Sequence, residues 1–179
     1  MRLIAPTSIL LVICATSAPA AELPSRKPGL WEVKMSIEGR NAPAQVIQQC
    51  IDATTDQMMQ SSAGPFSAAV CPKREVQMSP NSITIDSACM IGKKTATAHA
   101  VVNGSFDSAY TMTVTSQSED LPGGRMIMTM EAKRLGRCTA DQKPGDMIMS
   151  NGSTINILEA QKHIISPDVP LLPPRMPPQ

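Results

Sequence analysis

The stretch CPKREVQMSPNSITIDSAC, residues 71–89, decides how the middle of the chain folds. Lys73–Met78 and Ile83–Ile91 flank Ser79-Pro80-Asn81-Ser82, a run of residues that favours turns. We therefore predict an antiparallel hairpin folded at Pro80. Its two cysteines lie nine residues either side of that proline. The hairpin brings them opposite or nearly opposite each other, at the Cα separation of about 5.5 Å that a disulfide requires.

Two further cysteines complete a predicted disulfide framework. Four thiols allow three pairings, and joining Cys71 to Cys89 leaves Cys50 for Cys138. The fifth cysteine, Cys14, falls in the leader described below. A zinc site would need CxxC spacing or several histidines, whereas the chain has no CxxC and two histidines. The sequence therefore predicts two structural disulfides rather than a metal thiolate.

Apolar and polar residues alternate on both sides of this hairpin, which is the pattern of half-buried strands. The predicted strands are Leu30–Ile37, Ala44–Cys50, Thr95–Phe106, Tyr110–Ser118 and Arg125–Leu135. Asn103-Gly104 could form a tight turn. Because Ser105 and Phe106 continue the alternation, we place the turn at Asp107-Ser108 instead.

One helix is predicted in the body of the domain, after Cys50. Thr54 or Thr55 is expected to cap it, and Gly64-Pro65 ends it. The fold class is therefore mainly β. We expect a curved antiparallel meander of about six or seven strands with this one helix packed against it.

Residues 1–20 have the pattern of a cleaved signal peptide. Arg2 supplies a positive charge, Leu3–Ala15 is apolar, and Ala18-Pro19-Ala20 offers small residues for cleavage after Ala20. An apolar run of about 13 residues is too short to cross a hydrocarbon core of about 30 Å. We expect a periplasmic or secreted protein with no integral membrane segment after processing.

Three further segments follow the leader. Residues 21–138 form the predicted disulfide-stapled β domain. Residues 139–165 form an extension in which Ala140–Gly152 is rich in turn formers and Ser153–Ile165 has the spacing of a short helix. Residues 166–179 contain six prolines in fourteen positions, which predicts a disordered, proline-rich tail.

Composition restricts the classes of partner. Removal of Arg2 with the leader leaves the basic residues equal in number to the 15 acidic ones, so the mature chain has no formal net charge. Electrostatic steering of nucleic acid is therefore not expected. Only four residues are aromatic, whereas 13 are methionines, so the core must be filled by aliphatic side chains and thioethers.

The strongest candidate for a chemical role is a metal site formed by Met126, Met128 and Met130. Thioethers are soft ligands that select Cu(I), and period two would place all three sulfurs on one face of a strand. The same pattern also describes a core-facing strand that uses methionine as filler. We therefore retain Cu(I) or Ag(I) binding as an alternative and predict no resident cofactor.

The two histidines, His99 and His163, are not part of a recognisable catalytic motif. No GxSxG, HExxH or paired-carboxylate motif accompanies them, and no glycine-rich phosphate loop is present. We predict no catalytic residues. An enzyme would need His99 in a cleft, within hydrogen-bond reach of a carboxylate or hydroxyl.

Several short motifs occur in an order that is typical of one protein family. Pro28-Gly29-Leu30-Trp31-Glu32 follows the leader, Gln48-Gln49-Cys50-Ile51 comes next, and Arg134-Leu135-Gly136-Arg137-Cys138 closes the strand series. In this order they resemble an uncharacterised bacterial periplasmic family, domain of unknown function 3617, over roughly Lys27 to Cys138. The resemblance implies an exported, cysteine-paired and strand-rich domain, and it brings no established activity or catalytic residues.

The sequence thus favours an exported, non-catalytic β module. Its expected partner is an apolar small molecule, a lipid or another envelope protein, and a pocket lined by aliphatic and methionine side chains would favour the apolar ligand. Soft-metal binding is the first alternative, and a hydrolase-like enzyme is the second.

Overall fold

The structure is a computed structural model, and it describes residues 23–61, 71–91 and 94–165. The predicted signal peptide and the proline-rich tail lie outside the described residues. Within them the elements are β1 (Gly29–Ile37), β2 (Gln45–Ile51), α1 (Ala53–Ser61), β3 (Lys73–Met78), β4 (Ser82–Ile91), β5 (Lys94–Ser105), β6 (Ala109–Gln117), β7 (Arg125–Gly136), β8 (Asp146–Met149), β9 (Thr154–Asn156) and α2 (Ile157–Ile165).

The strands form one antiparallel sheet in the order β3-β4-β5-β6-β7-β1-β2-β8-β9. Strands β3 to β7 follow one another as a meander, and β1 then joins at the far side of β7. The sheet is open, with β3 and β9 at its edges. The prediction of a mainly β, antiparallel meander with a helix is confirmed.

The predicted strand boundaries agree closely with the structure. Strands β1 to β7 differ from the predicted ranges by at most one residue at either end. Strand β5 continues through Asn103-Gly104 to Ser105, and Ser108 N–H donates to the Ser105 carbonyl in the turn beyond it. A Cβ on Gly104 would lie 2.5 Å from the Ala109 carbonyl oxygen, so the glycine permits close strand pairing rather than a turn.

The segment after Cys138 differs from the prediction. The expected turn-rich region contains β8, and the residues expected to begin the second helix form β9. Both strands are very short, so alternation within them is too brief to be recognised. Strand β8 is positioned by pairing with β2, and β9 by pairing with β8. Helix α2 begins later, at Ile157, where the Asn156 side chain accepts hydrogen bonds from the Leu158 and Glu159 N–H groups.

The cap of α1 is also a correction. Neither Thr54 nor Thr55 caps the helix; Asp52 does. Its carboxylate accepts a hydrogen bond from the Thr55 N–H at 2.8 Å, and the Thr55 hydroxyl accepts one from the Asp52 N–H at 2.9 Å. Thr55 therefore occupies the third helical position of a reciprocal capping arrangement. The predicted end of the helix at Gly64-Pro65 lies outside the described residues.

One face of the sheet carries the core. Cross-strand register aligns alternate residues of neighbouring strands on that face, because side chains of a strand point to opposite sides in turn. The buried members of this cluster are Trp31, Val33, Ile51, Ile83, Ile85, Ala98, Ala100, Val102, Tyr110, Val114 and Ala132. Trp31 and Val33, which alternate along β1, are among them.

Candidate functional site

A buried ion pair joins the N-terminal segment to α1. The guanidinium Nε of Arg26 donates a hydrogen bond to Asp56 Oδ1 at 2.7 Å. The backbone N–H of Arg26 donates another to Asp56 Oδ2, also at 2.7 Å. Their side chains are 6% and 0% exposed. Gln49 accepts a second hydrogen bond from the guanidinium, and Gln60 donates one to the Asp56 carboxylate. Both charges are therefore neutralised and hydrogen-bonded where water is excluded.

Aromatic side chains surround this pair. The Arg26 guanidinium lies 5.6 Å from the ring centroid of Trp31, within the range of a cation–π contact. The Trp31 indole donates to the Lys27 carbonyl at 2.8 Å. Tyr110 packs between Trp31 and Phe106, and burial raises the pKa of its phenol, a rise that the Arg26 charge opposes. We call Arg26, Trp31, Gln49, Asp56 and Gln60 the N-terminal anchor.

The sequence motifs that suggested the family meet beside this anchor. The Arg134 guanidinium donates two hydrogen bonds to the Pro28 carbonyl, at 3.1 and 2.8 Å. Gly29 has a φ of 138°, and a Cβ there would lie 2.1 Å from the Gly136 carbonyl oxygen. The glycine is thus required by the close approach of two backbones. The motifs at either end of the family resemblance therefore contact each other directly.

The structure pairs the four cysteines as the sequence predicts. Cys50 and Cys138 are bonded with Cα atoms 5.6 Å apart, and Cys71 and Cys89 with Cα atoms 3.8 Å apart. The second separation is shorter than expected. In the β3–β4 register, Lys73 faces Ala88, so the inner pair is offset by one position from direct opposition. The outer bridge ties β2 to the chain that follows β7.

Half-buried methionines gather on the core-bearing face of three adjacent strands. Met126, Met128 and Met130 alternate along β7, as the sequence predicts for one face. Met35 of β1 and Met112 of β6 lie opposite Met130 on either side. We call these five residues the methionine patch. Four of them, all except Met126, pack against the buried core cluster.

The methionine patch differs from the predicted metal ligands in one respect. Consecutive members along β7 are about 6.8 Å apart, whereas directly opposed residues on neighbouring strands have Cβ atoms about 4.5–5.5 Å apart. Met130 therefore lies closer to Met35 and Met112 than to its partners within β7. Sequence spacing could not reveal this, because register between strands is a long-range property.

The opposite face of the sheet is polar and carries His99. Glu75, Asp86, His99 and Thr115 lie side by side on β3 to β6. His99 Nδ1 is 2.7 Å from Asp86 Oδ1, and the two side chains are 52% and 55% exposed. A groove of about 670 Å³ covers this row. His99 therefore lies in a groove within hydrogen-bond reach of a carboxylate, as an enzyme would need, although the side chains of His99 and Asp86 are both exposed to solvent.

The chemistry of the His99–Asp86 pair is limited. When Nδ1–H donates to the carboxylate, Nε2 keeps a lone pair that can accept a proton. In the described part of the chain, no hydroxyl is hydrogen-bonded to His99. Residue His163 falls in α2, but its side chain lies outside the described residues.

Across ranges 23–61, 71–91 and 94–165, no group of three or more His, Cys, Asp or Glu side chains could hold a metal ion. Neither of the helices described there is long and apolar enough to cross a membrane. The grooves at His99, at Met126 and at Tyr110 each have charged side chains in their linings.

Comparison with known proteins agrees with the motif geometry. A family model described as protein of unknown function (DUF3617) matches residues 26–138. The chain belongs to this family. The DUF3617 match begins at the anchor residue Arg26 and ends at Cys138, while β8, β9 and α2 lie beyond it. No curated protein and no solved structure matches the chain.

Sequence reasoning missed the N-terminal anchor. Arg26 precedes the first predicted strand, and Asp56 lies in the first turn of α1, where an acid is common for reasons of helix electrostatics. The two residues are separated by 30 positions. The one available signal is that Asp56 follows the capping residue Asp52 by one helical turn, which aims both side chains toward the start of the helix.

Proposed function

We propose that this DUF3617 protein is an exported, non-catalytic binding module that holds the acyl chain of a lipid, or a similar apolar molecule, on its methionine patch. The observation that carries the proposal is the patch itself. Five thioether side chains from three neighbouring strands form one apolar surface, and each of them is half-buried rather than sealed in the core.

The residue type suits a variable apolar guest. Methionine is unbranched, has three rotatable side-chain bonds and is polarizable, so a surface of methionines adapts to irregular ligands. Along β7 the patch extends from Met126 to Met130, which is about 14 Å at the rise of an antiparallel strand. A strip of this length and low polarity matches an extended hydrocarbon chain better than a compact polar ligand.

One observation and one sequence prediction support an oxidising compartment. Both cysteine pairs are at bonding distance, and disulfides persist outside the cytoplasm. The predicted signal peptide would direct export of the chain from the cytoplasm. Periplasmic fractionation with N-terminal sequencing of the mature protein tests this part. Detection of the unprocessed chain in the cytoplasm alone would reject it.

The ligand is tested with a fluorescent fatty acid. Met128→Asp is expected to weaken binding at least about tenfold, since a carboxylate against an acyl chain loses its hydration without gaining a partner. Met128→Leu should retain binding because it keeps the apolar surface. The matched control is Met78→Asp, which places the same charge on an exposed residue of edge strand β3. Equal binding by all three variants, or none by the wild type, would reject the proposal.

Native mass spectrometry of protein purified from its own envelope provides the unbiased measurement. We expect an added mass that is released by organic solvent and that is reduced in Met128→Asp. A lipid extract without acyl-containing species would contradict the proposed ligand class.

The His99–Asp86 distance favours a second candidate, a hydrolase-like activity in the polar groove. A histidine oriented by a carboxylate is the general-base half of many hydrolytic sites. Hydrolysis of a p-nitrophenyl ester, compared among the wild type, His99→Ala and Asp86→Asn, decides it. A wild-type rate equal to that of His99→Ala eliminates this candidate and leaves the binding module unaffected.

A further inference from the structure

Three methionines occupy one row across the centre of the sheet. Met35 of β1 faces Met130 of β7, and Met130 also faces Met112 of β6. Directly opposed side chains of antiparallel strands have Cβ atoms about 4.5–5.5 Å apart. The sulfur of Met130 therefore has a thioether on each side, contributed by a different strand.

The three side chains have the freedom to converge. Each sulfur lies two bonds beyond its Cβ, and methionine has three rotatable side-chain bonds. The outer pair, Met35 and Met112, can thus lean toward the central Met130 without backbone movement. The three sulfurs can then approach one point above the sheet, because the Cβ atoms share one row and project from the same face.

The surroundings favour a soft ion over a hard one. The neighbouring row contains Ile37, Met128 and Val114, which supply hydrocarbon and one further thioether. In the described strands, carboxylate and imidazole groups are absent from both rows, and the one amide, that of Gln45 on β2, lies beside Met35 at the end of the row and away from Met130. Thioether ligands select Cu(I) among the biological first-row metals, and Ag(I) shares its charge and softness. The cysteines that could compete for such an ion are held in disulfides.

We propose that Met35, Met112 and Met130 bind one Cu(I) or Ag(I) ion through their three sulfurs. The site runs across strands, so it differs from a Met-x-Met set along β7. The ion and the acyl chain share these three residues, but the ion needs their sulfur atoms whereas the acyl chain needs only their apolar area. No electron transfer is involved: the ion is bound as the monovalent species.

Titration with Ag(I) in chloride-free buffer, followed by native mass spectrometry, is the primary test. We expect saturation at one ion per chain. Met130→Leu should weaken Ag(I) binding at least about tenfold, equivalent to about 1.4 kcal/mol, because the substitution keeps volume and removes the central ligand. Met78→Leu is the matched control, since Met78 is 52% exposed and lies on the edge strand β3.

Two further measurements test the affinity for Cu(I) and the identity of the ligand atoms. Anaerobic Cu(I) competition against a chromophoric chelator should rank the variants in the same order as Ag(I). X-ray absorption of the wild-type Ag(I) complex should show sulfur neighbours only, which tests the ligand set even if Met130→Leu does not fold. Failure to bind one ion, oxygen or nitrogen ligands, or equal binding by Met130→Leu and Met78→Leu would overturn the proposal.

Discussion

The N-terminal anchor joins α1 to the sheet, the methionine patch lies on the sheet, and the two are specified in opposite ways. In the anchor, Arg26 and Asp56 are buried and make directional hydrogen bonds, so each atom has a defined partner. In the patch, contacts are apolar and half-buried, and no partner is unique. Directional contacts fix one arrangement and tolerate little change, whereas methionines fill space and tolerate exchange. Stability and adaptability are therefore separated in space.

The largest effect is expected from the covalent bond beside the anchor. Removing the Cys50–Cys138 bridge by double substitution to serine should cost about 4.5 kcal/mol, because its loop spans 88 residues. The Cys71–Cys89 bridge spans 18 residues and should contribute about 3 kcal/mol. Urea unfolding followed by fluorescence of the single tryptophan, Trp31, measures both. The reverse ranking would show that loop length does not govern these bridges.

Asp56→Asn tests the anchor itself. The substitution leaves the Arg26 charge buried without its counter-ion, so the free energy of unfolding should fall by about 3–5 kcal/mol. The same urea experiment measures it, with Asp141→Asn on the exposed surface as the control. An Arg26→Met/Asp56→Leu double variant removes both charges and should recover much of the loss. If it does not, the hydrogen bonds to Gln49 and Gln60 outweigh charge burial.

The sequence predicted the sheet well because its strands alternate over six or more residues, and Gly104 was correctly placed within a strand. The cysteine pairing followed from the hairpin at Pro80. By contrast, β8 is too short to carry a pattern of its own. The Arg26–Asp56 pair and the Met35–Met130–Met112 row depend on tertiary register, which no local pattern encodes. Those long-range contacts are the ones on which the candidate sites depend.

A smaller effect is expected at the helix that carries Asp56. Asp52→Ala should lower stability by about 1 kcal/mol through loss of the cap, and Asp52→Asn by less. The Thr55 N–H hydrogen bond lowers the pKa of Asp52. Its stabilising contribution is therefore complete at neutral pH and is lost as pH falls below about 4, through the lowered pKa of the folded state. A wild-type advantage over Asp52→Asn that grew on acidification would contradict this.

The smallest effect is expected in the methionine patch. Met128→Leu conserves volume and should change the free energy of unfolding by less than about 1 kcal/mol. Thermal unfolding with Trp31 fluorescence is a sufficient measurement. A loss as large as that of Asp56→Asn would mean that the patch is packed as uniquely as the anchor, and it would remove the contrast between the two regions.

The β8–β9 hairpin extends the sheet beyond the end of the family match. The recognised family ends at Cys138, yet hydrogen bonding continues sideways from β2 into β8 over Ile47, Gln48 and Gln49. A chain stopped at Cys138 would keep both disulfides and still expose the outer backbone of β2, a template on which another chain can add a strand. Strand β8 thus occupies the edge of β2 that such a shortened chain would leave open.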